Sequence, residues 1–187
     1  MNQSETMHNQ RGSTLIEAMV AILVLTIGIL TTMAMQVAAI NASSTAMNRT
    51  EANNVSQALL ETLKNLDFNN TELNQTNATV AELTNVNTAQ QVQNLITAGR
   101  VRTVAANNLL NGQPLQHMQN LIQVPLGAAP GTVIDMSGVS YRLAWAVRDL
   151  VVAGETWNKT IWVFMTWGTA MGQQNQLQIT TIRFNNT

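Results

Sequence analysis

Residues 11–40 read RGSTLIEAMVAILVLTIGILTTMAMQVAAI. No charged residue occurs from Ala18 to Asn48, and the stretch 18–40 is long enough to cross a bilayer as a helix of roughly 20 residues. Glu17 therefore stands at the edge of a long apolar helix. A carboxylate raises the free energy of membrane insertion by about 2.5–3.5 kcal/mol at the centre of a helix and by less near its end. We therefore expect Glu17 to have a charged partner or a functional role.

The segment GSTLIE at residues 12–17 has a short polar leader before it and the apolar helix after it. In this it resembles the class III leader of type IV pilins and pseudopilins. The resemblance implies that a membrane-embedded prepilin peptidase cuts after Gly12 and leaves the apolar stretch on the mature protein, which then begins at Ser13. The family usually begins with an N-methylated Phe, so Ser13 departs from the pattern but is the candidate for N-methylation.

A secretory signal peptide or a plain membrane anchor is the alternative interpretation of the N-terminus. A signal peptide has a shorter apolar region followed by an Ala-x-Ala-like cleavage site. Here the run is too long, and residues 38–44 offer only a poor site. A plain anchor would not require a Gly followed five residues later by a Glu at the start of its helix, so the pilin-like interpretation is favoured.

An apolar stripe continues the helix beyond the membrane-length stretch. Its members recur at spacings of three and four, which places them on one helix face: Ala52, Val55, Leu59, Leu63 and Leu66. Neither Pro nor Gly interrupts residues 29–67. The pattern predicts one helix from Ser13 to Asp67, whose second half packs its stripe against a globular domain.

The region 70–113 is polar and rich in Asn, Thr and Gln. Apolar spacing predicts one or two short helices around residues 80–96, another over 101–110, and a further one over 114–124. Residues 125–131, PLGAAPG, form a predicted loop.

The C-terminal part changes to the period of a strand. Residues 141–148 alternate, residues 160–167 are apolar on both faces and are thus predicted to be central, and residues 176–184 form a third strand. Residues 152–155 form a turn, and 132–136 can widen the sheet. A sheet laid over the helix stripe gives an α+β fold, which resembles the type IV pilin fold and is most similar to PilV-type minor pilins.

These patterns divide the chain into five segments. They are a prepilin leader (1–12), a transmembrane and filament-core helix (13–40), an amphipathic continuation of that helix (41–68), a polar variable region with short helices (69–131) and an antiparallel β-sheet (132–187).

Composition argues against several other functions. The chain of 187 residues has a net charge of −1, with only 10% charged residues, and a nucleic-acid surface would instead show clustered Lys and Arg. It has no Cys. His117 stands alone, and Asp135 and Asp149 form no recognisable carboxylate pair, so we expect no enzyme activity, metal or cofactor. We expect most of the Trp residues to lie in the sheet core, with Trp157 the most exposed.

The expected function is therefore assembly. In the family, the equivalent of Glu17 is thought to meet the N-terminal amine of a neighbouring subunit. An α-amine has a pKa of roughly 7.7–8.0 and is charged near neutral pH. A buried carboxylate is tolerated when it is paired and costly when it is not, so Glu17 would set the register of an incoming subunit.

The resemblance also implies location and partners. The precursor would span the inner membrane once, with its C-terminus in the periplasm, and then move to the pilus or cell surface. The partners would be other minor and major pilins, the prepilin peptidase, the inner-membrane assembly platform and a tip adhesin. A type II secretion minor pseudopilin of the I type, or an anchored periplasmic domain that never polymerises, are the alternatives.

Overall fold

The structure is a computed structural model and describes residues 10–104, 109–110, 113–114, 122–123, 128–135, 138–168, 172 and 174–185. The chain divides into two units, Met1–Ala46 and Met47–Thr187, each of which is described by itself. Met1–Asn9, most of the predicted leader, and His117 lie outside the described residues.

Helix α1 runs from Gln10 to Asn65. The sequence predicted a helix from Ser13 to Asp67, so the long helix is confirmed with boundaries that differ by two or three residues. A chain segment without Pro can hold its backbone hydrogen bonds through such a length. The helix begins inside the predicted leader, and it ends just before a 3-10 turn, Thr71–Leu73, which Asn70 caps through its side chain.

Two short helices follow, α2 (Val80–Thr84) and α3 (Ala89–Thr97). Both begin with a capping box. In this motif the hydroxyl of a Thr accepts a hydrogen bond from the backbone N–H of the third helical residue, and the side chain of that third residue accepts one from the backbone N–H of the Thr. Thr79 pairs with Glu82 in this way and Thr88 with Gln91. The short helices predicted around residues 80–96 are confirmed.

Eight antiparallel strands follow in the described part of the chain. They are β1 (Arg102–Thr103), β2 (Leu109–Leu110), β3 (Gln113–Pro114), β4 (Ile122–Gln123), β5 (Thr132–Asp135), β6 (Ser140–Val152), β7 (Glu155–Gly168) and β8 (Gln174–Phe184). The main sheet has the order β4-β5-β6-β7-β8, with β1 also paired to β6, and β2 with β3 forms a separate hairpin. The predicted strands at the C-terminus are confirmed, and β7 is central as expected.

The helix predicted over 101–110 is wrong, because β1 and β2 occupy its described parts. Val101 and Val104 are three residues apart, which suggested one helix face. In the structure the chain between them is extended, and Val104 joins the core on one side of the sheet while Val101 joins the core on the other. Residues three apart in an extended chain lie on opposite faces. The helix predicted over 114–124 is also wrong at Ile122–Gln123, which form β4.

One face of the sheet packs against residues 47–65 of α1. The helix stripe contributes Ala52, Val55, Leu59 and Leu63, all fully or almost fully buried. The sheet contributes alternate side chains of its two longest strands, namely Tyr141, Leu143, Trp145 and Val147 from β6 and Ile161, Val163, Met165 and Trp167 from β7. The predicted packing of the helix stripe on a sheet is confirmed.

The other face of the sheet packs against α2, α3 and their flanking loops. Leu83, Val92 and Leu95 meet the intervening side chains of the same strands, including Trp162 and Phe164. Because β7 is covered on both sides, it is apolar at every position from Ile161 to Met165. The globular unit is thus an α+β fold of the type IV pilin-like kind, with residues 47–65 of helix α1 on one side of an antiparallel sheet.

A buried cation, Lys159, lies at one end of the core that residues 47–65 of α1 form with the sheet. Lys159 is only 4% exposed, and its Nζ donates to the carbonyl of Leu73 at 3.0 Å and to Asp149 Oδ1 at 3.1 Å. The ammonium also lies 5.0 Å from the centroid of the Phe68 ring, a cation–π contact. All of these groups lie near the C-terminal end of α1, which shows how the sheet is attached there.

Candidate assembly helix

The described part of the N-terminal unit is a single apolar helix with an exposed surface. Every residue from Thr14 to Ile40 is exposed, including large side chains such as Leu15, Leu25 and Met35, which are more than 60% exposed. Helix α1 is long and apolar enough to cross a membrane by length and composition. A buried core helix or a signal sequence passes the same test, but the first is excluded here because none of the apolar window is buried in its unit.

The threonines of this stretch keep their hydroxyl groups satisfied within the helix. Thr26 and Thr31 donate to the carbonyl oxygens of Ile22 and Ile27 at 2.6 and 2.8 Å, and Thr32 donates to that of Ile29 at 2.8 Å. In hydrocarbon, a polar group must find its partner internally, since no water is present. These bonds therefore adapt the few hydroxyls of the helix to an apolar surrounding, a feature that sequence spacing alone did not predict.

The predicted cleavage and assembly residues all lie on helix α1. Gly12 and Ser13 are within its first turn, which begins at Gln10, and Glu17 follows Ser13 by four residues. Four residues are close to one helical turn, so Ser13 and Glu17 share a helix face. Glu17 is exposed, and it is the only carboxylate between Thr14 and Thr50. The helix thus places one negative charge one turn after the predicted cleavage point.

Among the described residues, no three His, Cys, Asp or Glu side chains are grouped as a metal site. Of the carboxylates singled out from the sequence, Asp149 is the ion-pair partner of Lys159. The Trp residues divide as expected. Trp145, Trp162 and Trp167 are at most 6% exposed, while Trp157 is 61% exposed.

The family profile described as the prokaryotic N-terminal methylation motif matches residues 7–33. The match covers the leader junction, Glu17 and most of the apolar stretch. No curated protein and no solved structure matches the chain.

The matched motif supports a type IV pilin-like protein, of the pilin and pseudopilin type. Together with the exposed apolar helix, it fits a membrane-anchored prepilin. It also favours a structural, non-enzymatic protein that associates with other pilins and with the prepilin peptidase.

Proposed function

We propose that this chain is a minor pilin of the PilV type that takes part in the priming or tip complex of a type IV pilus. It would thereby support pilus-dependent motility, adhesion or DNA uptake. The observation that carries the proposal is Glu17, the single charged residue from Thr14 to Asn48 of α1. It lies on the exposed stretch from Thr14 to Ile40 and within the segment that matches the methylation motif.

Processing is the first step of the proposed pathway. The prepilin peptidase cuts between Gly12 and Ser13, and the new amine of Ser13 is the candidate for N-methylation. Both residues lie in the first turn of α1. The first turn of a helix has unsatisfied N–H groups and frays readily, and Gly is a weak helix former, so opening this turn for a peptidase costs little.

Assembly then depends on the charge of Glu17. The side chain pairs with the N-terminal ammonium of a neighbouring subunit once both helices lie in the filament core. Without that pair, the carboxylate would be buried alone among apolar side chains at a cost of several kcal/mol. Small residues on the same helix, Ala21, Ala34 and Ala38, permit close helix packing.

The proposed partners are other minor and major pilins, the inner-membrane assembly platform and a tip adhesin. The precursor spans the inner membrane once, with residues 47–187 in the periplasm, and the mature chain ends in the pilus. We assign the segments of the chain as follows: the leader is 1–12, the filament-core helix 13–40, its continuation 41–68, the variable region 69–131 and the sheet 132–187.

The test is the variant Glu17→Ala, compared with Glu61→Ala as a matched control, since Glu61 is an exposed glutamate of the same helix in the globular unit. We expect Glu17→Ala to remain in the membrane and to be cleaved after Gly12, but to fall at least about tenfold in the sheared filament fraction. Glu61→Ala should enter filaments normally. Full incorporation of Glu17→Ala would disprove the charge-pairing mechanism.

Intact mass of the wild-type chain from membranes and from sheared filaments tests the class of protein. A chain that begins at Ser13 in both fractions supports a pilin, and a mass increase of one methyl group would identify the modification. A processed chain absent from pili, with loss of secreted exoproteins on deletion, favours a type II secretion pseudopilin. An uncut chain confined to membranes favours a plain anchored domain.

A further inference from the structure

We propose that the outer edge of β8, from Thr180 to Phe184, binds an extended strand of a partner protein that has apolar side chains at alternate positions. This interaction surface belongs to the globular unit, and the proposal stands whether or not the chain enters a filament. For brevity, these five residues are called the β8 edge.

The β8 edge is the last strand segment of the sheet. In the described part of the chain, β8 pairs with β7 on one side and with no strand on the other. Unpaired edges expose a row of N–H and C=O groups that can pair with another chain, and proteins commonly blunt them with charges, Pro or short length. Strand β8 is eleven residues long, contains no Pro, and has Arg183 as its single charged residue.

The alternation of hydrogen bonds shows which backbone groups face outward. Asn185 lies opposite Trp157 and donates its backbone N–H to the Trp157 carbonyl at 3.0 Å, so this position faces β7. In an antiparallel ladder, the next residue in either direction turns its backbone groups away from the partner strand. The N–H and C=O groups of Phe184, Ile182 and Thr180 therefore point to the outer edge.

The same three residues are the exposed ones in the second half of β8. Earlier in the strand, Gln176 and Gln178 donate from Nε2 to the carbonyls of Val86 and Leu83, so α2 and the loop after it lie over that part of β8. Thr180, Ile182 and Phe184 are exposed, the last two by 51% and 63%. The charge of Arg183 points away from this face, since its Nη1 donates to the carbonyl of Leu63 on the α1 side at 3.4 Å.

A neighbouring strand places one more exposed apolar side chain, that of Leu150, on the same face of the sheet. Phe184 lies opposite Asn158, which lies opposite Leu150, and cross-strand partners share a face of the sheet. The β6–β7 hairpin beyond them carries Val151, Val152 and Trp157, all about half exposed or more. Apart from Met47 and Val80, every exposed large apolar side chain described in the globular unit lies on this hairpin end or on the β8 edge.

A β-bulge lies at the exposed Trp157. Leu150 pairs with Asn158 and Val151 pairs with Thr156, so Trp157 is the extra residue on β7. Bulges redirect a side chain and are common next to functional surfaces. Clusters of exposed apolar side chains at one end of a unit mark interaction sites more often than scattered ones do.

The outward backbone groups and the exposed apolar side chains of the β8 edge together specify what binds there. Outward backbone groups call for an extended strand, and Ile182 and Phe184, two residues apart on one face, call for apolar side chains at every second position. Such strand addition gains affinity from main-chain hydrogen bonds and specificity from alternate side chains.

A second copy of this chain, paired antiparallel through the same β8 edge, is a poorer occupant. Strand β8 begins opposite Gly168, next to Trp167, whose β6 partner Tyr141 contacts Asn48 and Glu51, and it ends near Leu63. It therefore runs in the same direction as residues 47–65 of α1. Antiparallel pairing of two β8 strands would place the Met47 ends of the two copies at opposite ends of the joined sheet. Two chains that enter from one membrane would not meet in that way.

The test is site-specific photo-crosslinking of the full chain in the membranes of its host. A benzophenone side chain replaces Phe184, and a second version replaces Val80, an exposed apolar residue away from the surface, as the control. Mapping the crosslinked peptides should place the Phe184 adduct on one segment of one partner. A crosslinker at Ile182 should react about two residues away on that same segment, because the pairing is strand-like.

The variant Thr180→Pro removes one outward N–H, and we expect it to lower the adduct yield about tenfold. Thr180→Ser keeps that N–H and should leave the yield unchanged. Should Thr180→Pro fail to fold, Ile182→Lys provides the same test, because this side chain is already exposed and a charge blunts an edge. Equal adducts at Phe184 and Val80, insensitivity to these variants, adducts on a helical partner segment, or adducts on β8 of another copy would each overturn the proposal.

Discussion

Helix α1 consists of two regions that differ in what covers their apolar side chains. From Thr14 to Ile40 every side chain is exposed, and most are apolar. From Met47 to Asn65 only one stripe is apolar, and the sheet of the same unit buries it. The second region finds its partner within the chain. The first region must find it in lipid or in other helices, because an apolar surface of this length is not stable in water.

Charges follow the same division. In the apolar region, Glu17 is exposed and its proposed partner is the amine of another subunit. In the globular unit, Lys159 is buried and its ammonium is already satisfied by Asp149, the Leu73 carbonyl and the Phe68 ring. On the proposed function, the charge of Glu17 serves assembly between chains, whereas the charge of Lys159 is satisfied within one chain.

The largest expected effect is the loss of stability when a leucine of α1 is truncated, and it should differ between the two regions of the helix. Leu59→Ala should lower the free energy of unfolding of the globular unit by about 2–5 kcal/mol, since Leu59 is completely buried and its truncation leaves a cavity. Leu25→Ala should change it by less than ~0.5 kcal/mol, because Leu25 is exposed. Denaturation of the detergent-solubilised chain, followed by Trp fluorescence, measures both. Similar losses for the two variants would contradict the division.

The next effect concerns the buried charge. Asp149→Ala should cost about 2–3 kcal/mol, because it leaves the Lys159 ammonium buried without its anion; a fully buried pair would cost more, but the Asp149 side chain is 17% exposed. Lys159→Met should cost less, since it removes the cation and leaves a carboxylate that water can reach. The same unfolding assay measures both, with Glu61→Ala as the neutral control. The reverse order would show that packing of the lysine stem, and not its charge, stabilises this end of the core.

The smallest effect compares threonines. Thr88→Ala should destabilise the globular unit by about 1 kcal/mol, because its hydroxyl caps α3. Thr31→Ala should leave the unfolding of that unit unchanged, because its hydroxyl bonds within the apolar helix. An effect of Thr31→Ala as large as that of Thr88→Ala would show that the apolar region contributes to the stability of the globular unit.

The cap of α2 adds a pH dependence that the cap of α3 lacks. Hydrogen bonds from the Thr79 backbone and then from its side chain lower the pKa of Glu82, with a smaller contribution from the charge of Arg100. A lowered folded-state pKa contributes stability that is present above the ordinary pKa of the carboxyl and is lost as pH falls through the folded value. Glu82→Gln should therefore flatten the acid side of the stability profile slightly, whereas Gln91 in the α3 cap does not titrate. If Glu82→Gln left the dependence of stability on pH unchanged, the capping box of α2 would contribute nothing to that dependence.

Much of the fold follows from local patterns. The apolar run, the stripe at three and four residue spacings, the alternation in β6 and the turn at residues 152–155 are all properties of short segments. In that turn Ala153 and Gly154 both have positive φ, which matches the primed turns that join hairpin strands. The position of Trp157 near this turn also predicted that it is the most exposed tryptophan, which is confirmed.

Errors arose where spacing was ambiguous. Val101 and Val104 fit one helix face, but an extended chain puts them on opposite sides of a sheet that has two cores. Since β1 pairs with β6 some forty residues later, only that distant partner decides between the two conformations. Tertiary pairing overrides local preference in such segments.

The sequence by itself determined the apolar helix, the position of Glu17 within the methylation motif, and the strand character of the C-terminus, because each depends on residues close together in the chain. Only the tertiary structure decided that α2 and α3 cover the second face of the sheet, that Lys159 is buried, and that the β8 edge lies beside an exposed apolar hairpin end. These features depend on which distant segments pack together, and contacts between residues far apart in the chain leave no local signature in the sequence.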